Sequence, residues 1–134
     1  MIQLLFVFSD FALLILRVIV GIIFISHGWP KISDLRGTAS WFSSAGFKPG
    51  NFWATFIAIL EFVGGLFLIV GFFVQVLGLL FAIEMLVAFL VVNRKRGLVG
   101  GYELDIILFA ASLILATMGG GILTLDEFLG IRLY

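Results

Sequence analysis

The stretch Phe52–Val92, FWATFIAILEFVGGLFLIVGFFVQVLGLLFAIEMLVAFLVV, decides the fold. A helix crosses a hydrocarbon core with roughly 20 apolar residues, so this run is too long for one crossing and suits two. It is interrupted only around Val74 and Gln75. That spacing predicts two helices, over about 52–73 and 76–92, folded back on each other as a tight antiparallel hairpin. Each carries one glutamate well inside its apolar run, Glu61 and Glu84. There a carboxylate has neither water nor a helix terminus to stabilise it.

Outward from this hairpin, two further apolar segments predict crossings over about 11–29 and 104–118. The composition agrees: of 134 residues, 63% are hydrophobic and only 12% charged, with a mean hydropathy of +1.28. No soluble domain of this size hides so much apolar surface. The expected fold is all-α, a single four-helix transmembrane bundle over residues 1–134. The lipid bilayer is its first partner. A formal net charge of zero argues against nucleic-acid binding. No cysteine is present, which excludes disulfides, thiol redox chemistry and cysteine-ligated metal centres within the chain. The first basic residue is Arg17, and the apolar run around it outlasts a signal-peptide core, so the first segment is expected to be retained.

The connecting loops are unequal in charge. Lys31, Arg36 and Lys48 follow the first helix, and Arg94, Lys95 and Arg96 follow the third. Four crossings put these loops on one side, opposite Arg132. Positive loops remain cytoplasmic, so both termini are expected to face away from the cytoplasm. The first loop also holds Trp41, Phe42, Phe47 and Trp53. Aromatic residues collect at headgroup level, which predicts a short interfacial helix over about Thr38–Ala45.

The ionisable residues within or beside the helices are Arg17, His27, Lys31, Glu61, Glu84, Glu103 and Asp105. A central charge costs on the order of 2.5–3.5 kcal/mol to insert, so such residues turn inward and find partners. At 1.5 Å per residue, Arg17 and Glu84 fall about 9 and 12 Å from the non-cytoplasmic face, and His27 and Glu61 about 24 and 20 Å. Lys31 and Glu103 fall near the cytoplasmic surface. Depth therefore predicts three pairs: Arg17 with Glu84, His27 with Glu61, and Lys31 with Glu103. Arg17, Gly21, Phe24, Gly28 and Lys31 share one helix face, flanked by His27. Glu61, Gly64, Gly65, Leu68, Gly71 and Gln75 form a second stripe. Small residues let membrane helices approach closely, so these faces are expected to meet.

Each charge also has a plain structural reading. Arg17 serves equally well as a packing pair, Lys31 as an interfacial anchor, and Glu103 and Asp105 as acids at a helix N-terminus. Asp105 is read as a terminus residue. Glu61 and Glu84 resist such readings. Acids outnumber cations here, so a dry site would hold some of them protonated, and a neutral acid near a histidine can pass protons on.

Other chemistries do not fit. Ser26 adjoins His27 but points elsewhere on the helix, so no serine triad is formed. No Glu-x-x-His motif exists for a di-metal bundle, and no metal site is expected. GLVGGYE lacks the Lys-Ser/Thr of a phosphate loop and reads as a turn that delivers Glu103.

The stretch LRVIVGIIFISHGWPKI, Leu16–Ile32, resembles the first helix of the DoxX family of small membrane proteins. ILEFVGGLFLIVGF, Ile59–Phe72, is similar to its second helix. GGYELDIILFAASLILATMGGGILTLDEFLG, Gly100–Gly130, is similar to its closing pattern, with Thr124, Leu125 and Asp126 in the final Ser/Thr-Leu-Asp place. The resemblance implies a four-helix inner-membrane protein and maps onto Arg17, His27, Gly28, Lys31, Glu61 and Glu103. Some relatives are linked to quinone or thiosulfate oxidation, the latter with a second subunit, and others to oxidative stress or quinone resistance.

The expected function is therefore the membrane part of a quinone-linked redox or oxidative-stress system, working with a soluble or membrane redox partner. In that role His27 and Glu61 would relay protons as the catalytic pair. Arg17, Lys31, Glu84 and Glu103 would hold the substrate, and Phe24 would stack on its ring. No covalent cofactor is expected; a quinone or another small lipophile is the ligand. Two alternatives use the same residues: a non-enzymatic scaffold whose charges fix packing, and a carrier of small anions or lipophiles, which would need a homo-oligomer to form a pathway.

Overall fold

The computed structural model describes residues 4–131. After a short turn at Phe6–Phe8, the elements are α1 (Ser9–Ser33), α2 (Leu35–Ser44), α3 (Gly50–Val70), α4 (Val74–Val87), α5 (Glu103–Met118) and α6 (Leu125–Leu129). The described residues contain no strand. Four helical segments are long and apolar enough to cross a membrane: Phe6–Ser33, Gly50–Val70, Val74–Arg96 and Leu98–Met118. The all-α, four-helix class read from the hydropathy is the fold of the molecule.

Local chemistry sets the ends of these helices. α1 runs past Trp29 to Ser33, with Pro30 inside its last turns. Asp34 then closes α1 through its N–H to the Pro30 carbonyl and opens α2 by accepting from the Gly37 N–H at 2.9 Å. α3 ends where Gly71 turns left-handed, at φ 78°, and its N–H returns to the Leu68 carbonyl. A left-handed glycine closes helices in this way without a Cβ clash. Phe73 follows at φ 51°, a conformation a bulky residue rarely takes, and α4 begins at once. At its far end α4 widens into a π-helical turn, Ala88–Asn93, followed by a tight turn at Arg94–Arg96.

The helices pack as two pairs, α1 with α3 and α4 with α5. Glycine makes each pair close. A Cβ on Gly21 would stand 2.6 Å from the Gly65 carbonyl oxygen, and one on Gly65 would stand 2.7 Å from that of Gly21. The α1 and α3 backbones therefore touch, as the two stripes predicted. Gly78 of α4 performs the same service against Ser112 and Ala116 of α5.

The hairpin expectation needs correction. α3 and α4 are joined by a short turn, but along their length they make few contacts. Gly65 of α3 is committed to α1 while Gly64 faces the Leu77 and Phe81 side chains of α4, and the close backbone approach of α4, at Gly78, is to α5. The two pairs meet through a core of Leu13, Val20, Leu68, Leu77, Leu115 and the stacked rings of Phe24 and Phe81. Beyond those rings, on the side of Lys31 and Arg96, a cavity separates them. α2 lies against α3 beside this opening, burying Ala39 and Phe42 on Ala54 while Trp41 stays exposed. It is the short helix expected in the first loop.

Candidate functional site

The cavity holds about 520 Å³ and is walled mostly by aromatic and aliphatic side chains, among them Phe24, Trp41, Phe42, Trp53 and Leu108. Volumes of this order suit a single small ligand. Its polar lining comes from His27, Lys31, Glu61, Glu84, Asn93, Arg96 and Asp105.

At the centre stands an ion pair. Lys31 Nζ lies 2.5 Å from Glu61 Oε2, and the Glu61 side chain is 3% exposed. Gly28 explains how the two meet. A Cβ there would lie 2.9 Å from that of Glu61, so the bare α1 backbone rests directly on α3 at this level. Lys31 is one turn further on, on the same face, and its flexible stem brings the ammonium back to the carboxylate. Glu84 approaches from α4 and lines the same cavity, close enough for its carboxyl to interact electrostatically with that of Glu61. Glu84 Oε2 is buried with no hydrogen-bond partner among the described residues. One cation and two acids, one from each of three helices, thus gather at this level.

All three predicted pairs are replaced. His27 does not pair with Glu61; it is exposed on the rim of the cavity, because the α1 face that meets α3 is that of Gly21, Gly28 and Lys31. Lys31 pairs with Glu61 rather than Glu103. Glu103 is exposed outside the cavity lining and accepts from the Gly100 N–H at 2.9 Å, closing its own turn. Arg17 does not reach Glu84. It is 2% exposed, at the opposite end of the bundle. Its guanidinium donates to the carbonyls of Leu68, Ile69 and Leu123, and Asp126 supplies the nearby negative charge. The last carbonyls of a helix have no intrahelical donor, and a planar fork reaches several at once. Arg17 and Glu103 therefore line no part of the cavity. Phe24 lines it, but its ring face is already covered by Phe81, with centroids 3.8 Å apart and planes inclined by 13°. It forms a floor for the site and offers no free face for stacking.

Two acids have parts that the sequence reading did not assign to them. Asp105, taken for a terminus residue, is buried on the cavity wall and accepts from Asn93 Nδ2 at 2.7 Å. The π-helical turn carries Asn93 to this position. Its signal was the buried stripe Asp105, Leu108, Ser112, Leu115, spaced as one helix face. Asp126 accepts from the N–H groups of Phe73 and Val74 at 2.7 and 2.9 Å, holding the α3–α4 turn.

The DoxX family profile matches residues 12–94, which take in all but the first three residues of α1, all of α3 and α4, and the whole Lys31–Glu61–Glu84 cluster. The chain belongs to the DoxX family. Among its relatives, the protein named "Putative oxidoreductase CatD" of Bacillus subtilis (strain 168) is 38% identical over 86% of this chain and 84% of its own length. "Inner membrane protein YqjF" of Escherichia coli (strain K12) is 31% identical over 90% of this chain and 94% of its own. "Inner membrane protein YphA" of the same strain is 27% identical over 86% and 88% respectively. No solved structure matches the chain.

Proposed function

We propose that this DoxX protein is the membrane component of a quinone-linked redox system in the inner membrane, and that it takes a quinone ring into the cavity between its two helix pairs. One observation carries the reading: a Lys31–Glu61–Glu84 cluster, centred on the buried Glu61, opens onto an aromatic-walled space of about 520 Å³. Reduction of a quinone to the quinol takes up two electrons and two protons. The ring oxygen would meet Lys31 as donor, and the adjoining acids would hold and pass the protons. Exposed His27 on the rim would exchange protons between cavity and surface. The electrons would come from a partner protein that carries a redox cofactor. The basic loops would place the cavity mouth toward the cytoplasm and the termini away from it. The word oxidoreductase in the name of the Bacillus relative is in keeping with this role.

The test is a quinone titration of the purified protein, followed by quenching of its tryptophans. Trp41 and Trp53 line the cavity, so a bound quinone should quench them. Lys31→Met should weaken binding by roughly tenfold, the value of one lost charged hydrogen bond. Saturable quenching absent across several quinones would end the proposal.

The non-enzymatic scaffold has its own support at the other end of the molecule. There Arg17 is spent on backbone carbonyls, which is a packing role. It does not account for a cavity lined by three acids.

A further inference from the structure

The second question is how a ligand reaches the cavity, and the answer rests on the quinone reading for the ring alone. α3 and α4 make few contacts beyond their connecting turn. Where they part, the cavity lining comes to the surface at Phe56 of α3 and at Ile83 and Val87 of α4, all three exposed. Phe56 precedes Gly71 by 15 residues and Val87 follows it by 16, so the two stand at one level of the bundle. At 1.5 Å per residue that level is about 23 Å from the turn, within the depth of a hydrocarbon core.

The cavity's other thinly packed side lies between α1 and α5. There it is bordered by His27, Lys31 and Asp105. The cavity thus has one polar flank and one apolar flank. A water-soluble ring would use the polar one. An open apolar flank costs nothing in contact with acyl chains and would expose Phe56, Ile83 and Val87 to water anywhere else. The volume also sets a limit: about 520 Å³ holds a ring and the start of a chain, and a long tail would have to leave through a wall.

We propose that the slit between α3 and α4, bordered by Phe56, Ile83 and Val87, is a lateral portal from the bilayer. The ligand is then a ring carrying an alkyl or isoprenoid tail, with the ring against Lys31, Glu61 and Glu84 and the tail lying out through the slit.

The absence of cysteine makes a direct test available. Ile83→Cys, at the slit, and Ile15→Cys, on the exposed face of α1 away from the cavity, each introduce a single thiol for a bulky maleimide. Each protein, labelled and unlabelled, is titrated with a tail-less dimethoxy-methyl-benzoquinone and with the same ring bearing a decyl tail. The label at Ile83→Cys is expected to weaken the tailed ring by roughly tenfold or more, since several buried methylenes are displaced, and the tail-less ring by less than about twofold. The label at Ile15→Cys should alter neither. Equal affinity of both rings for the labelled and unlabelled slit protein overturns the portal while leaving the quinone reading intact. Equal loss of both rings on labelling also overturns it, since the slit then does not distinguish tail from ring. Failure of both rings to bind the unmodified protein overturns the quinone reading, and the portal with it.

Discussion

Lys31 and Glu61 meet at 2.5 Å across the α1–α3 interface, and the lysine keeps only part of its side chain in contact with the outside. The pair is the join between fold and site. It closes the end of the glycine-lined contact and presents its free edges to the cavity.

Because Glu61 is buried, removing its cation leaves an acid with no compensating charge. Lys31→Met is expected to destabilise the bundle by about 3 kcal/mol, and Glu61→Gln by less, since a glutamine keeps a donor and an acceptor. The double variant should cost less than the two single changes together. Thermal unfolding of the four proteins in one detergent measures the coupling. Strict additivity would mean the two side chains do not act on each other.

Arg17 is predicted to act on stability alone. Arg17→Ala removes donors from the Leu68, Ile69 and Leu123 carbonyls and should lower stability by about 3 kcal/mol or more. Arg17→Lys should recover only part of this, because one ammonium cannot span the positions of a planar fork. Quinone quenching in the folded fraction should stay as in the unchanged protein. Loss of quenching with normal stability would return Arg17 to the binding site.

The sequence made much of this fold legible, and the reasons differ from residue to residue. Gly21, Gly28 and Gly65 identified the α1–α3 interface because close approach tolerates few other residues, while Gly64, on the same stripe, faces Leu77 and Phe81 of α4. Glu61 was legible as an inward group because lipid punishes the alternative. Its partner was not. Depth alone cannot separate His27 from Lys31, since a long lysine stem spans more than a helical turn and the glycine stripe decides which face turns inward. Arg17 was misassigned for another reason: its partners are backbone carbonyls, which no residue letter marks. Asp105 was obscured by an adequate simpler reading, and the π-helical turn that delivers Asn93 to it has no sequence period of its own.

The α1–α3 contact gives a sharper structural test. Gly21→Leu must push the α3 backbone away, because even a Cβ would stand 2.6 Å from Gly65 O. A loss of roughly 2–3 kcal/mol is expected, at the upper end of overpacking costs. Ile19→Ala, on a face exposed to lipid, should change stability by about 0.5 kcal/mol or less. Similar losses at the two positions would contradict the interface.

At the opposite end, Asp126 bridges two N–H groups of a turn whose Phe73 sits at φ 51°. Asp126→Ala leaves both donors without that acceptor and should cost about 2 kcal/mol, while Asp126→Asn keeps one acceptor and should cost roughly half as much. Hydrogen exchange at Phe73 and Val74 should accelerate in the same order. Unchanged protection in Asp126→Ala would show that the turn holds itself.

Glu84 separates proton handling from architecture. A glutamine at this position keeps the size of the side chain and can donate a hydrogen bond to Glu61, so Glu84→Gln should fold normally and bind quinone within about threefold of the parent protein. It cannot gain or lose a proton. If the acid pair supplies protons to the ring, chemical reduction of bound quinone in Glu84→Gln should be slowed, by roughly a hundredfold if it is a general acid of ordinary effectiveness. Glu84→Leu removes the polar group as well and should impair both stability and reduction. The informative comparison is between the two: reduction preserved in Glu84→Gln, with stability lost only in Glu84→Leu, would make Glu84 a packing residue and leave Lys31 and Glu61 as the whole of the site.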